Sequence, residues 1–414
     1  MFKSLKINTW RQFQKVEIDF HPRLTILTGA NGAGKTTLLN LLSRHFEWPT
    51  EFIGTLKKDK KTGGFKFFSD FWKHLFDSNK EGQEISQNVI GEIIYESGKN
   101  CTLIIPKIVN SIYTIDFQHQ QGVKGIHIPS HRTNYKYQSV PNISTKIISR
   151  KDAYSQYKSS FIQHYRGEHS PHTANYYIKE TLISLATFGY GNKVVTRNED
   201  AITLYEGFEE ILRKVLPSKL GFQKLAIRIP EIVLETSSGE FSFDAVSGGV
   251  ASIIDLAWQL YMFDDIDTRL TVTFDEPENH LHPEMQKTLL PNFLTAFPNT
   301  QFIVATHNPF IISSVSDSNV YVLDYNTNNR VESIKLENVE KSGTANQILR
   351  EVLGIETTMP QWVDKKIEEI VSKYSDIGIT QENLLLFKSE LKSVGLDKYI
   401  PTSIANLIDK SKTK

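Results

Sequence analysis

The first fifty residues alternate between apolar and polar positions and then reach a glycine-rich turn. Residues 5–7 and 16–20 alternate in this way, and residues 24–27 form a short apolar run. Alternation with a period of two residues is typical of β-strands. A helix over residues 36–42 is expected directly after the turn. The opening of the chain therefore predicts strands, a tight turn and a helix.

The middle of the chain, residues 51–225, has a mixed pattern that favours an insertion. Its first part predicts short strands, and a polar stretch with helical character covers residues 145–215. The β-rich runs of the first part are residues 92–95, 102–105, 112–117 and 125–128.

From residue 226 to residue 324, apolar strands alternate with amphipathic helices. Strands are expected at residues 272–274, 302–305 and 320–323, with a helix over residues 285–297. This alternation is typical of a buried parallel sheet with helices on both faces.

The pattern as a whole predicts an α/β fold with a mixed or parallel sheet, an inserted β and helical region, and a helical C-terminal tail. After Gly354 the sequence predicts polar helices that break near Gly378 and Gly395. The expected segments are residues 1–50 with the glycine-rich turn, 51–225 with the β-rich continuation and helical insertion, 226–330 with the alternating strands and helices, and 331–414 as a helical region where a partner could bind.

Composition and charge narrow the classes of function. The 414 residues hold 47 Lys and Arg against 47 Asp and Glu, so the formal net charge is zero. The charge of the whole chain therefore gives no reason to expect nucleic acid or an anionic membrane as a partner. Cys101 is the single cysteine, which excludes an internal disulfide. The N-terminus lacks a secretion signal, and no run of about 18 apolar residues occurs. A cytoplasmic protein without a membrane span is expected.

The glycine-rich turn carries the sequence GANGAGKT at residues 29–36. It fits the phosphate-binding pattern G-x-x-x-x-G-K-[ST], and it lies between a strand and a helix, as that pattern requires. Backbone N–H groups of such a loop surround the β-phosphate. Lys35 is expected to neutralise the β- and γ-phosphates, and Thr36 to give its hydroxyl to Mg²⁺. The sequence therefore predicts a nucleotide site.

Two further apolar strands end in polar residues that belong beside such a loop. Residues 270–274 lead into Asp275 and Glu276, and residues 302–305 are followed closely by His307. The ends of parallel strands meet at the edge of the sheet that holds the loop. We expect Asp275 to bind Mg²⁺ and Glu276 to orient and deprotonate the attacking water. His307 can reach the γ-phosphate or that water.

A second anion-binding helix start is expected at Ser247, Gly248 and Gly249, which precede a helix-like stretch over residues 251–262. A hydroxyl and unobstructed N–H groups at a helix N-terminus bind phosphate. Two such sites in one chain suit the opposite faces of a shared nucleotide.

These four elements, in this order, resemble the heads of ABC-type ATPases, whose Ser-Gly-Gly signature motif lies across a subunit interface from the glycine loop. The sequences DEPENHLHP at residues 275–283 and THNPF at residues 306–310 are more similar to the branch that contains RecF, SMC-like repair ATPases and OLD-family proteins than to transporters. The resemblance covers about residues 1–45 and 225–325.

The resemblance implies a homodimer, or a larger assembly of dimers, that holds two MgATP molecules head to tail. Residues 7–13 are similar to the segment that packs beside the adenine in this branch. Ser247, Gly248 and Gly249 of one protomer would close on the γ-phosphate held by the other. The residues implied within one protomer are Asn31, Gly32, Ala33, Gly34, Lys35, Thr36, Thr37 and Arg11 on the nucleotide, Thr36 and Asp275 on Mg²⁺, and Glu276, His307 and Lys35 in catalysis.

OLD-family proteins carry a C-terminal nuclease that needs an Asp-x-Asp pair, and no such pair follows Asp324. The chain therefore resembles stand-alone ATPase subunits of bacterial antiphage systems, of the Septu type and its retron-linked relatives, which act with a separately encoded nuclease or toxin. One alternative is a RecF-like repair ATPase that binds DNA in an ATP-dependent way. A further alternative is a transporter ATPase or a non-hydrolysing scaffold.

Some features allow two interpretations. Basic and aromatic residues interleave over residues 145–172, which suits nucleic acid as a possible partner, but the helical spacing of the aromatic residues favours core packing. An apolar face over residues 363–374 is suited either to cap the head or to bind a partner helix.

The trio His280, His282 and Glu284 is better explained by a packed turn than by a metal site. The candidates for the Mg²⁺-sensing glutamine of this class are Gln83, Gln87, Gln118, Gln120, Gln121 and Gln138.

Overall fold

The computed structural model describes residues 1–58, 63–69, 88–106, 110–131, 137–145, 148–263, 269–355, 359–377 and 380–412. Gln83, Gln87 and the expected break at Gly378 lie outside these residues. The chain divides into two compact units, Met1–Leu353 and Gly354–Lys414.

The strands of the first unit are β1 (Phe2–Trp10), β2 (Phe13–Asp19), β3 (Leu24–Gly29), β4 (Phe52–Ile53), β5 (Thr55–Lys58), β6 (Phe65–Phe68), β7 (Asn88–Tyr95), β8 (Asn100–Ile105), β9 (Ile112–Tyr113), β10 (Asp116–Gln118), β11 (Gly125–Ile128), β12 (Phe222–Arg228), β13 (Glu231–Thr236), β14 (Gly239–Ser242), β15 (Leu270–Asp275), β16 (Thr300–Ala305), β17 (Asn319–Tyr325) and β18 (Val331–Lys335). Its helices are α1 (Lys35–Ser43), α2 (Arg150–Tyr165), α3 (Ala174–Tyr190), α4 (Glu199–Val215), α5 (Gly248–Phe263), α6 (Pro283–Ala296), α7 (Pro309–Ile312), α8 (Asn338–Lys341) and α9 (Ala345–Gln347).

Within the described residues, eleven strands form one mixed sheet in the order β10-β8-β7-β1-β2-β18-β17-β3-β16-β15-β11. The half from β17 to β11 is parallel, whereas the strands from β10 to β2 pair in antiparallel fashion. Every residue of β3, β15 and β16 is buried, as expected of strands that are covered on both faces. The predicted α/β fold with a mixed sheet is confirmed.

Hydrophobic side chains of the central strands contribute to two cores, one on each face of the sheet. Leu24 and Ile26 of β3 join the cluster that is built with helices α2 to α6. Leu27, one position further on, joins the cluster that is built with α1 and with β1, β2, β7 and β8. Because side chains alternate along a strand, each strand contributes to both layers.

Residues 222–242 depart from the expected alternation of strands and helices. They form a separate antiparallel sheet of the three strands β12, β13 and β14. Gly239 has a φ of 135° and begins β14 immediately after the turn from β13. Glycine adopts such backbone angles readily, so this turn favours a hairpin over a helical connection.

The polar stretch over residues 145–215 contains α2, α3 and α4, which is the helical insertion that the sequence predicted. On α2, Tyr157 and Phe161 are only 1% and 3% exposed and lie in the core. Tyr165 ends the same row of aromatic residues and is exposed. Core packing, the favoured interpretation, is therefore confirmed for the two central aromatic residues.

The segment 331–414, expected to be helical, begins with a strand instead. β18 pairs with β17 and meets β2 at Val331 and Phe13, so it closes the gap between the two halves of the large sheet. The sequence pattern did not predict this strand because its apolar residues are isolated among polar ones. The unit that is entirely helical begins only at Gly354.

The second unit contains α10 (Gln361–Ile377), α11 (Gln381–Ser393) and α12 (Ile400–Lys412). The apolar face predicted over residues 363–374 packs against Phe387 and Leu391 of α11 and Leu407 of α12. It therefore forms the core of its own unit, rather than a surface for the head or for a partner helix. None of the helices described in either unit has the length and apolar character that crossing a membrane requires.

His127 on β11 is a buried histidine whose protonation opposes folding. It is 5% exposed, and its Nδ1 lies 2.9 Å from Thr273 Oγ1. Burial lowers the pKa of His127 to about 3, whereas a histidine in an unfolded chain titrates at about 6.5. The unfolded state therefore binds a proton more readily. Stability due to His127 is fully present above about pH 6.5 and is lost as the pH falls towards 3.

We expect this residue to lower the free energy of unfolding by about 2 kcal/mol between about pH 7 and about pH 5. Urea unfolding measured across that range provides the test. His127→Asn, which can still place a polar atom near Thr273, should lose this part of the pH dependence. An identical pH dependence in the variant would contradict the assignment.

Candidate nucleotide site

The glycine loop joins β3 to α1 and packs tightly against two other strands. Gly29 has a φ of 130°, and a Cβ there would lie 2.2 Å from the carbonyl oxygen of Leu323. Gly34 has a φ of 94°, and a Cβ there would lie 2.4 Å from the ring of Phe13. The first and last glycines of the motif are thus required both by backbone conformation and by the neighbouring strands.

Lys35 is held inside the loop. It is 8% exposed, and its Nζ donates to the carbonyl oxygens of Gly29 and Ala30 at 2.8 and 3.1 Å. Burial lowers the pKa of Lys35, although the carboxylates of Glu276 and Asp275 act in the opposite direction. An ammonium group that the loop carbonyls orient in this way is suited to contact the phosphates of a nucleotide. Of the other predicted loop residues, Asn31 and Gly32 are exposed and Thr37 is half-buried.

Asp275 and Thr36 meet where β15 ends beside α1. Thr36 Oγ1 donates to Asp275 Oδ2 at 2.9 Å. Asp275 Oδ1 is buried and has no hydrogen-bond partner among the described residues. Burial raises the pKa of Asp275, and the hydrogen bond from Thr36 and the charge of Lys35 act in the opposite direction. A hydroxyl beside a buried carboxylate oxygen is a donor set that Mg²⁺ prefers, so these two residues fit the predicted cation.

Glu276 and His307 form a contact between the ends of β15 and β16. Glu276 Oε1 lies 3.3 Å from His307 Nδ1, and both side chains reach solvent. Glu276 has a φ of 45°, in the left-handed region that non-glycine residues rarely occupy. Its N–H donates to the carbonyl of Ala305 at 2.8 Å, and Asn279 Nδ2 donates to its Oε2 at 3.3 Å. The chain therefore holds this carboxylate in one orientation.

The Ser-Gly-Gly segment forms an exposed corner at the start of α5. Ser247 and Gly248 are exposed, whereas Gly249 is buried against the carbonyl of His280, in the turn after the acidic strand. Apart from its chain neighbours and the backbone of its own helix, no described residue has an atom within 4 Å of a Cβ built on Gly248. The corner therefore has room for a ligand group on its outer side.

A buried ion pair anchors the segment that leads into this corner. The side chain of Lys179, on α3, is fully buried and donates to Asp244 Oδ2 at 2.6 Å and to Glu231 Oε2 at 2.8 Å. Asp244 lies three residues before Ser247. Removal of one partner from a buried ion pair typically costs about 3–5 kcal/mol of stability. Lys179 of the helical insertion therefore holds in place the segment that leads into the Ser-Gly-Gly corner, called the signature corner below. The sequence pattern gave no sign of this anchor.

Two further residues contact the glycine loop: Gln12, from the segment expected beside the adenine, and Tyr325, which the sequence pattern did not single out. Gln12 Nε2 and Tyr325 Oη each donate to the carbonyl oxygen of Gly32, at 3.3 and 3.2 Å. Arg11, which was expected beside the nucleotide, donates to the carbonyl of Ile53 at 3.0 Å. Its guanidinium also lies over the rings of Trp10 and Phe52. A contact between Arg11 and the nucleotide stays a prediction.

Of the described glutamine candidates, Gln118, Gln120 and Gln121 lie away from the acidic strand. Gln118 ends β10, at the opposite edge of the sheet from β11, with Gln120 and Gln121 just beyond it. Gln138 accepts from the backbone N–H of Thr173 at 2.9 Å.

The position beside β15 at the end of β11 is filled by Ser130 and His131. The carbonyl of Ser130 accepts from Asn279 Nδ2 at 3.1 Å. Burial raises the pKa of Asp275, and the charge of His131 is close enough to oppose that shift. Polar residues directly after the β11 strand pattern, as after β15 and β16, were the signal that could have identified them.

The glycine loop, the acidic strand and the histidine strand meet at one edge of a parallel half-sheet, and a Ser-Gly-Gly helix start lies in the same unit. This arrangement resembles the heads of ABC-type P-loop ATPases, as the sequence predicted. The family model described as "AAA domain" matches residues 4–181, and the model described as "AAA domain, putative AbiEii toxin, Type IV TA system" matches residues 137–313.

The chain is similar to the Septu protein PtuA of Bacillus thuringiensis, at 21% identity over 392 residues that span 88% of this chain and 87% of that protein. It is also similar to the retron Ec83 probable ATPase of Escherichia coli, at 29% identity over 152 residues, 35% of this chain and 26% of that protein. These two relatives confirm the predicted resemblance to Septu-type and retron-linked ATPases. Among solved structures, the SMC head domain from Thermotoga maritima matches with a TM-score of 0.40 and 13% identity, over 81% of this chain and 99% of that chain.

Proposed function

We propose that this chain hydrolyses ATP at a site shared between two copies of itself, and that this dimerisation regulates a separately encoded nuclease or toxin in bacterial antiphage defence. The observation that carries the hydrolytic part is the convergence of two contacts at the ends of neighbouring strands, Thr36 with Asp275 and Glu276 with His307. The similarity to a Septu protein and a retron ATPase supports the role in defence.

In the proposed reaction the loop binds the triphosphate and Lys35 contacts its β- and γ-phosphates. Thr36 and Asp275 would hold Mg²⁺, which neutralises phosphate charge when bound. Glu276 accepts a proton from water as the water oxygen attacks the γ-phosphorus. The bond from the γ-phosphorus to the oxygen shared with the β-phosphate breaks, and ADP and phosphate are formed. His307 restrains the Glu276 carboxylate from the adjacent strand.

The exposed signature corner supports a site completed by a second copy. In ABC-type ATPases this corner acts on the nucleotide of the partner, and here Gly248 has open space beside it. ATP held between two copies would join them, and loss of the γ-phosphate would release them. Such a nucleotide-controlled contact is a switch of known type, and it could pass the state of the ATPase to an effector.

We expect MgATP to shift the Glu276→Gln variant to a dimer or larger assembly, measured as mass by light scattering after size-exclusion chromatography. Ser247→Arg is the matched control, because it fills the corner while leaving the glycine loop of the same chain unchanged. Combined with Glu276→Gln, it should prevent the shift. A mass that does not respond to MgATP would contradict the shared site.

The effector part requires a separate measurement. Co-expression with the products of neighbouring genes should yield a complex in which MgATP changes the nuclease or toxin activity of the partner. ATP-dependent DNA binding by the chain alone, with an affinity that falls steeply with salt, would favour the RecF-like alternative instead.

A further inference from the structure

Behind the Glu276–His307 pair lies a buried carboxylate that the proposed reaction does not use. Glu278 is 6% exposed, and its Oε1 accepts a hydrogen bond from Thr306 Oγ1. Its Oε2 is buried without a hydrogen-bond partner among the described residues. A carboxyl group in this position is costly, so an apolar side chain would suit packing better. A buried carboxyl group this close to the Glu276–His307 pair points to a role in the neighbouring site.

Thr306 connects this carboxylate to the turn that carries the histidine. Thr306 is fully buried, and its hydroxyl both donates to Glu278 and accepts from the backbone N–H of Asn308 at 2.9 Å. Its own N–H donates to the carbonyl of Leu27 at 3.0 Å. His307 stands between these two restrained residues. One hydroxyl therefore fixes the backbone on both sides of His307.

The same carboxylate belongs to the turn that holds Glu276. β15 and β16 remain in register up to Asp275 and Ala305. Beyond that point, the bond between Glu278 and Thr306 joins the two turns across the strand ends. The left-handed conformation of Glu276 costs of the order of 1–3 kcal/mol and persists only when its surroundings impose it. A link between the two turns is suited to impose it.

We infer that Glu278 is a positioning residue for ATP hydrolysis, because its bond to Thr306 sets the place of His307 relative to Glu276. This inference rests on the proposed function, in which Glu276 accepts the proton of water. Glu278 and Thr306 act through the pair in front of them rather than on ATP. Their loss should therefore slow the chemical step and leave nucleotide affinity unchanged.

The test compares Thr306→Val, which keeps the shape of the side chain and removes the hydroxyl, with Thr306→Ser, which keeps the hydroxyl. We expect Thr306→Val to lower kcat by about 10- to 100-fold, the usual effect of losing a residue that orients a site. KM and the Kd for ATP should change by less than about twofold. Thr306→Ser should recover most of the turnover. Likewise, Glu278→Gln, which keeps an oxygen for Thr306, should turn over faster than Glu278→Ala.

A double-mutant cycle with Glu276→Gln separates positioning from general stability. If Thr306 acts through Glu276, Thr306→Val should lower the residual turnover of Glu276→Gln by less than about twofold. A structural role would lower turnover equally in both backgrounds, together with ATP affinity and Tm, and that outcome would overturn the inference. Should valine prevent folding, Thr306→Ala provides the same comparison.

The two proposals fail in different ways. Wild-type turnover in Glu276→Gln would remove the base, and with it the proposed hydrolytic site. Loss of turnover in Glu276→Gln together with wild-type kcat in Thr306→Val would leave the base in place and overturn the positioning role alone.

Discussion

Replacing Glu276 with glutamine should lower ATP turnover by about 10²- to 10³-fold while leaving ATP binding intact. The amide has nearly the shape of the carboxylate and can still accept from Asn279, so the geometry of the turn should persist. It cannot take a proton from water, however. Phosphate release measures turnover, and calorimetric titration with MgATP measures binding.

Glu284 offers a control of the same chemistry on the same segment. Its carboxylate is exposed and pairs with Lys219 on the surface, away from the Glu276–His307 contact. Glu284→Gln should therefore release phosphate at the wild-type rate. Undiminished phosphate release by Glu276→Gln would show that another group accepts the proton, and the assignment of the base would be wrong.

Much of the central sheet could be predicted because its signals are local. The apolar runs of β3, β15 and β16 are buried on both faces, and each is followed within two residues by a polar group of the site. The order of strands is a different matter. β18 lies between β2 and β17 although it follows both in sequence, and neither periodicity nor composition specifies such a pairing.

The parts of the site that escaped prediction depend on that strand order. Tyr325 reaches Gly32 because β17 lies beside β3, and Thr306 reaches Glu278 because β16 lies beside β15. The glycine loop and the acidic pair could be identified because each is contiguous in sequence. A hydrogen bond between residues 28 positions apart appears only when the fold places them together. Positioning residues are therefore harder to predict than the groups they position.

Two inactive variants should regain ATP turnover when they are mixed, if each ATP site combines two copies of the chain. Lys35→Ala should lose ATP binding at its own loop, and Ser247→Arg should block its own corner. In a mixed dimer, the intact loop of the Ser247→Arg chain faces the intact corner of the Lys35→Ala chain. The second site of that dimer carries both defects. Neither variant paired with itself has an intact site that ATP can close, so only mixed dimers form. Each mixed dimer has one intact site out of two, so at most about half of the wild-type turnover is expected for a two-fold symmetric dimer.

The mixture separates a shared site from a site that is complete within one chain. A chain that hydrolyses ATP alone would need its own Lys35 but not its own Ser247, so Ser247→Arg by itself would stay active. A chain that used its own loop together with its own corner would be inactive in each variant and equally inactive in the mixture. Recovery on mixing requires that the loop and the corner come from different copies. The double variant Lys35→Ala/Ser247→Arg, mixed with Lys35→Ala, has no intact loop and should recover nothing, which makes it the control for effects of concentration alone.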